Sequence, residues 1–142
     1  MGLMKRYAAS TIALLLAMTG AACAGDMKSD MKAEPPGGDY AKVSSLVALP
    51  DFIPGLGTLY VQPATLPAGP FLAYDKNKTL VSSIYMIPIE DMQNQKGFDN
   101  LAVGSEKVLD VDMYYNAGHP GVPNPHYHVV LWHVDEKTAK LK

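Results

Sequence analysis

Pro125-His126-Tyr127-His128-Val129-Val130-Leu131-Trp132-His133-Val134 carries three of the four histidines of the 142-residue chain and its longest late apolar run. Pro123-Asn124-Pro125 precedes it and the polar Asp135-Glu136-Lys137 follows. A run of this length, rich in β-branched and aromatic residues and bounded by turn formers, reads as a β-strand from His126 to Val134. The fourth histidine, His119, lies just upstream in Asn116-Ala117-Gly118-His119-Pro120-Gly121-Val122.

The preceding apolar segment, Val108 to Tyr115, reads as the partner strand. Its odd positions are Leu109, Val111, Met113 and Tyr115, and its even positions include Asp110, Asp112 and Tyr114. In the final strand the odd set is Tyr127, Val129 and Leu131, and the even set is His126, His128, Val130 and Trp132. An antiparallel pair that opposes odd with odd brings the apolar faces together. A slip by one residue mixes apolar with polar on both sides. Asp110, Asp112 and Tyr114 are therefore expected on one face with His126 and His128. His133 falls on the other.

Two imidazoles at i and i+2 of a strand can reach one ion, and His119 can fold back over them from the loop. His126, His128, His119, Asp112 and, in reserve, Asp110 are the candidate metal ligands. Such a set suits a divalent transition metal: Zn, Fe, Mn or Cu. Tyr114 is the candidate hydrogen-bond partner behind a ligand. The alternatives are a metal-free polar pocket and histidines with a purely structural role.

Outward from this pair, Thr58 to Gln62, Phe71 to Tyr74 and Thr79 to Ile87 read as strands. Asp75-Lys76-Asn77-Lys78 is a hairpin turn between the last two, since Asp and Asn tolerate left-handed backbone. Tyr40 to Leu49 and Glu90 to Lys96 read as short helices, the second with acidic residues in its first turn and Gly97 at its end. Pro63 to Pro70 reads as loop. The fold class expected is mostly β, or α+β: a small antiparallel sandwich or barrel-like domain with one or two short helices.

The N-terminus reads as an export signal over residues 1–22. Lys5 and Arg6 precede the apolar Ala8 to Met18, which is too short for a stable membrane span. Cys23, the single cysteine, stands where a lipoprotein carries its lipidated residue. The competing reading cuts after Ala24, at Ala22-Cys23-Ala24. Residues 23–38, with a repeated Asp-Met-Lys and then Pro35-Pro36-Gly37-Gly38, read as a flexible linker. Residues 39–142 form one domain. The expected location is the periplasm or the cell envelope, as a lipoprotein. No disulfide is available there, so packing, with or without a metal, must hold the fold.

Of the 12 basic residues, two leave with the signal, which sets 10 against 14 acidic side chains. This balance and the lack of a basic block exclude nucleic acid as an expected partner. The partners expected are a metal ion or a small molecule, and a membrane through the lipid anchor alone. Gly55-Leu56-Gly57 lacks the context of a nucleotide loop, and Ser82-Ser83 lacks the glycines of a nucleophile elbow. The leading expectation is thus a binding protein rather than an enzyme. A small metal-dependent hydrolase or oxygen-chemistry enzyme, and an envelope interaction domain with structural histidines, are the alternatives.

Gly121, His126, His128 and His133 are similar in part to the first cupin metal motif, Gly-x5-His-x-His-x(3–4)-Glu-x6-Gly. Here the first spacer is four residues, His133 stands at the Glu position and the second Gly is missing. The chain also resembles an uncharacterised family of exported bacterial proteins, a domain of unknown function, whose signature is a Pro-His-Phe-Asp-x-His-Phe-Tyr-like strand near the C-terminus. Pro125 to Asp135 carries that resemblance, with Gly57-Thr58-Leu59-Tyr60-Val61 and Pro67-Ala68-Gly69-Pro70 upstream. The family's Asp is His128 here, and its second His falls at Val130. The resemblance implies a β-rich fold, a homo-oligomer as one option, and no assigned activity.

Overall fold

The computed structural model describes residues 31–142. The export signal, Cys23 and the first part of the expected linker lie outside the described residues. Six strands form one antiparallel sheet: β1 (Ala41–Lys42), β2 (Thr58–Val61), β3 (Phe71–Tyr74), β4 (Leu80–Pro88), β5 (Asp110–Asn116) and β6 (His126–Trp132). Their order is β1-β2-β3-β4-β6-β5, so β6 is inserted between β4 and β5, and β5 is an edge. One helix, α1 (Ile89–Gln93), follows β4. The domain is mostly β, as expected. The layer that a sandwich would place opposite the sheet is supplied by irregular segments.

The register sorts the side chains onto two faces. β6 pairs with β4 through Ile84↔Val130 and Met86↔His128, and with β5 through Asp112↔Val130 and Tyr114↔His128. The expected pairing of even with even positions is therefore present. On the first face, Leu59, Val61, Phe71, Ala73, Ile84, Met86, Val130 and Trp132 meet Val43, Val122 and Leu141 from the covering segments. On the second face, Tyr60, Leu72, Tyr74 and Leu80 meet Met31. The rings of Tyr60 and Tyr74 stand edge to face at 5.6 Å. Every residue of β2 and β3 is buried, which is why these strands read as continuous apolar runs without alternation.

The hairpin turn forms where expected. The Asp75 carboxylate accepts the backbone N–H groups of Asn77 at 2.8 Å and Thr79 at 3.1 Å. Lys78 takes the left-handed position, at φ 62°.

Two expectations are corrected, both of them helices. Tyr40 to Leu49 is not a helix. Ala41 and Lys42 pair with Val61 and Tyr60, and only Val43–Ser45 makes a single 3-10 turn. Val and Ser are weak helix formers, and Val43 gains more by burial in the core. The second helix stops earlier than Gly97, with Gln95 at φ 57°. Within residues 31–38, Met31 is buried against the sheet, and its carbonyl accepts the Tyr74 hydroxyl. The aliphatic row of β5 faces away from the core. Val111, Met113 and Tyr115 are 56%, 57% and 54% exposed, while His126 and His128 on the other face are buried.

Candidate functional site

The loop that carries His119 is fixed by its own backbone chemistry. Asn116 Oδ1 accepts the Gly118 N–H at 2.9 Å, closing a turn at the end of β5. Gly118 sits at φ 131°, where an added Cβ would lie 2.3 Å from the Pro123 carbonyl oxygen, so only glycine fits. His119 and Val122 then exchange two backbone hydrogen bonds of 3.0 Å. Between them, Pro120 and Gly121, the latter at φ 88°, supply the residue pattern of a type II turn. Val122 enters the core, and His119 is held over the start of β6.

Three imidazoles converge there. His126 Nε2 and His128 Nε2 are 2.9 Å apart, and His119 Nε2 is 3.4 Å from His128 Nε2. One ligand atom from each lies within 4.8 Å of the others, so His119, His126 and His128 could hold a metal ion. Nitrogen ligands at about 2.05 Å on a tetrahedron stand roughly 3.3 Å apart. The observed spacings bracket that value.

The other ring nitrogens are all engaged. His126 Nδ1 donates to the Asn124 carbonyl at 2.7 Å, and His119 Nδ1 donates to the Pro120 carbonyl at 3.0 Å. A carbonyl can only accept, so in the neutral rings both protons reside on Nδ1 and both Nε2 lone pairs point into the cluster. His128 Nδ1 meets the Tyr114 hydroxyl at 3.0 Å. A hydroxyl can donate or accept. In the metal-free cluster, a His128 Nε2–H satisfies the facing lone pairs and Tyr114 donates to Nδ1. Were a cation held at the three Nε2 atoms, His128 would carry its proton on Nδ1 and donate to Tyr114 instead. The Tyr114 rotor thus lets His128 exchange tautomers without leaving a buried nitrogen unpaired.

The electrostatics favour a neutral His128 ring. Burial, then the neighbouring imidazoles of His126 and His119, push His128 from 6.5 down to about 4. Burial, then the Asp112 carboxylate, raise the Tyr114 hydroxyl, which stays protonated. Neutral imidazole is the form that ligates metal.

The expected carboxylates do not reach the cluster. Asp112 accepts the Trp132 indole N–H at 2.8 Å, and Asp110 lies opposite Trp132 at the far end of the strand pair. Neither belongs to the group of three. The register explains this: Tyr114 stands directly across from His128, and Asp112 is two residues further, about 7 Å along the strand. Tyr114 therefore takes the supporting role expected of it, and Asp112 anchors the indole. His133 is outside the cluster, as expected. It is buried, with Nε2 2.8 Å from Ser83 Oγ and Nδ1 donating to the Lys107 carbonyl at 2.7 Å. The pair resembles a nucleophile and its base. However, Ser83 is wholly buried and its oxygen already accepts the Gly104 N–H, so the network ties the 104–107 loop to the sheet.

Sequence reasoning missed a cavity. A space of about 250 Å³ lies between the sheet residues Leu59, Val61, Phe71 and Met86 and the covering segments 43–56 and 119–122. Every side chain on its wall is apolar except that of His119. Long-range packing of irregular segments creates it, and no local pattern signals that.

No protein-family model matches the chain, and no curated protein does. Among solved structures, the chain is similar to a hypothetical protein from Thermus thermophilus, TTHB210, with a TM-score of 0.58 and 41% identity. The match covers 64% of this chain and 92% of that one, and the chain belongs to one family with that Thermus protein.

Proposed function

We propose that the protein is a metal-binding protein that acts outside the cytoplasm, holding one divalent ion through Nε2 of His119, His126 and His128. One observation carries this: three Nε2 atoms face one another, and each opposite Nδ1 is already bonded to Asn124, Pro120 or Tyr114. Metal-ligating histidines are oriented in this way, by a partner on the second nitrogen. An all-imidazole set favours zinc or copper over manganese, which prefers carboxylate oxygens. The export reading rests on residues 1–24 of the sequence and Cys23 within them.

The test is the metal content of the exported chain, isolated without a polyhistidine tag, beside a His126→Ala/His128→Ala variant. About one equivalent of zinc or copper is expected in the natural chain, and less than a tenth of that in the variant. Equal, substoichiometric metal in both would remove the metal reading.

A second reading is a catalytic site. Three protein nitrogens leave a coordination position for water or substrate, as catalytic zinc centres do. His119 is only partly buried, and the cavity wall gives that position a neighbouring space.

A further inference from the structure

The cavity and the histidine cluster share a residue. His119 offers Nε2 to the cluster and is the one polar side chain on the cavity wall. They also share a stretch of sheet. Met86 lines the cavity and stands directly opposite His128 in the β4–β6 register. The apolar space thus abuts the place where the three nitrogens converge.

Such a space calls for an occupant. Protein interiors are packed to near-crystalline density, and an unfilled apolar void loses the contacts its walls would otherwise make. Water gains little there, because a buried water needs two to four polar partners. A void of about 150 Å³ lined by apolar side chains takes up benzene. At about 250 Å³, this one has room for an apolar body of roughly ten non-hydrogen atoms. Leu46 and Leu66, both on its wall, are 42% and 46% exposed, so the space reaches the surface there.

We infer that the protein binds a small amphiphile, with an apolar body in this cavity and a single oxygen-donor head, such as a carboxylate, on the metal at His119, His126 and His128. This rests on the metal-binding reading above. The walls select the body by burying methylenes, each worth about a fourfold gain in affinity when fully buried. The cluster selects the head, because nothing else on the cavity wall can pair with a charge. Neutral hydrocarbons lack the head, and acetate lacks the body.

The full chain is first titrated with zinc, and the zinc form then receives acetate, butyrate, hexanoate and octanoate in a calorimeter. Cobalt-loaded protein receives the same acids, and its visible spectrum reports whether the head reaches the metal. Affinity is expected to rise with chain length, with octanoate at least tenfold tighter than acetate and a spectral change that saturates with it. Leu46→Trp and Leu66→Trp, both at the exposed mouth, are expected to remove most of the chain-length gain while zinc binding stays unchanged. If zinc does not bind, the metal reading falls and this inference with it. If zinc binds but octanoate and acetate bind alike, or octanoate binds with no change in the cobalt spectrum, this inference alone is overturned.

Discussion

Ser83 Oγ accepts the Gly104 N–H at 2.9 Å and meets His133 Nε2 at 2.8 Å, whereas the Ser82 hydroxyl, one residue earlier on β4, is buried with no hydrogen-bond partner among the described residues. The two point to opposite faces of the sheet, Ser82 toward Trp132. Removing Ser83 Oγ strands two buried groups, which costs about 1–3 kcal/mol. Removing Ser82 Oγ relieves a desolvated hydroxyl at the loss of little packing. Urea unfolding of Ser83→Ala is expected to show that destabilisation, and Ser82→Ala to be neutral or stabilised by up to about 1 kcal/mol. Equal losses would mean that Ser82 has a partner. Members of the histidine cluster were legible at this scale where spacing alone decides: His126 and His128 at i and i+2 share a side, and His133 does not. The same spacing misplaces Asp112, because sharing a face is not the same as sharing a position along it. The carbonyls of Pro120 and Asn124 that orient the rings belong to the backbone and leave no mark in the residue types.

At the scale of elements, β5 and β6 show what a period of two can and cannot tell. The alternation correctly groups Tyr114 with His128 and Val111 with Leu131. It does not say which group packs inward. That is decided by residues 43–57, 119–122 and 134–141, which return over the sheet on the histidine side. The aliphatic row reads as core because burial follows hydrophobicity on average, but β5 is the sheet edge and has no cover on that side among the described residues. Accordingly, Val111→Thr and Met113→Thr are expected to shift unfolding free energy by less than about 0.5 kcal/mol. Ile84→Ala, at the centre of the covered face, is expected to cost about 2–5 kcal/mol. Denaturant titration of the three variants checks the contrast. A loss at Val111 comparable to that at Ile84 would show that the row is covered in solution.

For the whole molecule, the buried histidines link stability to pH. Burial lowers His128 to about 4, with the other two imidazoles adding to it, and burial also lowers His133 against a smaller opposing effect of the Lys107 carbonyl. In the unfolded chain, these two histidines take up their protons near pH 6.5, before they can in the folded protein. The metal-free protein therefore keeps its full stability above about pH 6.5 and loses it as the pH falls toward 4, by up to about 1.4 kcal/mol per pH unit for each such group. Unfolding of chelator-treated protein at pH 7, 6 and 5 should show a falling midpoint. A flat profile would contradict the buried neutral state. The mostly β class, the hairpin turn and five of the strands were legible because their signals are local. The insertion of β6 between β4 and β5, and the cavity beneath the cover, arise from contacts between segments far apart in the chain.

His119, His126 and His128 lie within ten residues of one another along the backbone. Closing so short a loop takes little entropy, so the denatured chain remains a serviceable chelating peptide. A metal that binds both states stabilises the native one only by the ratio of the two affinities. What folding adds is therefore chiefly orientation: the turn at Pro120 and Gly121, and the Tyr114 hydroxyl brought across from another strand. Heating the metal-loaded protein would release an unfolded chain that still carries its ion.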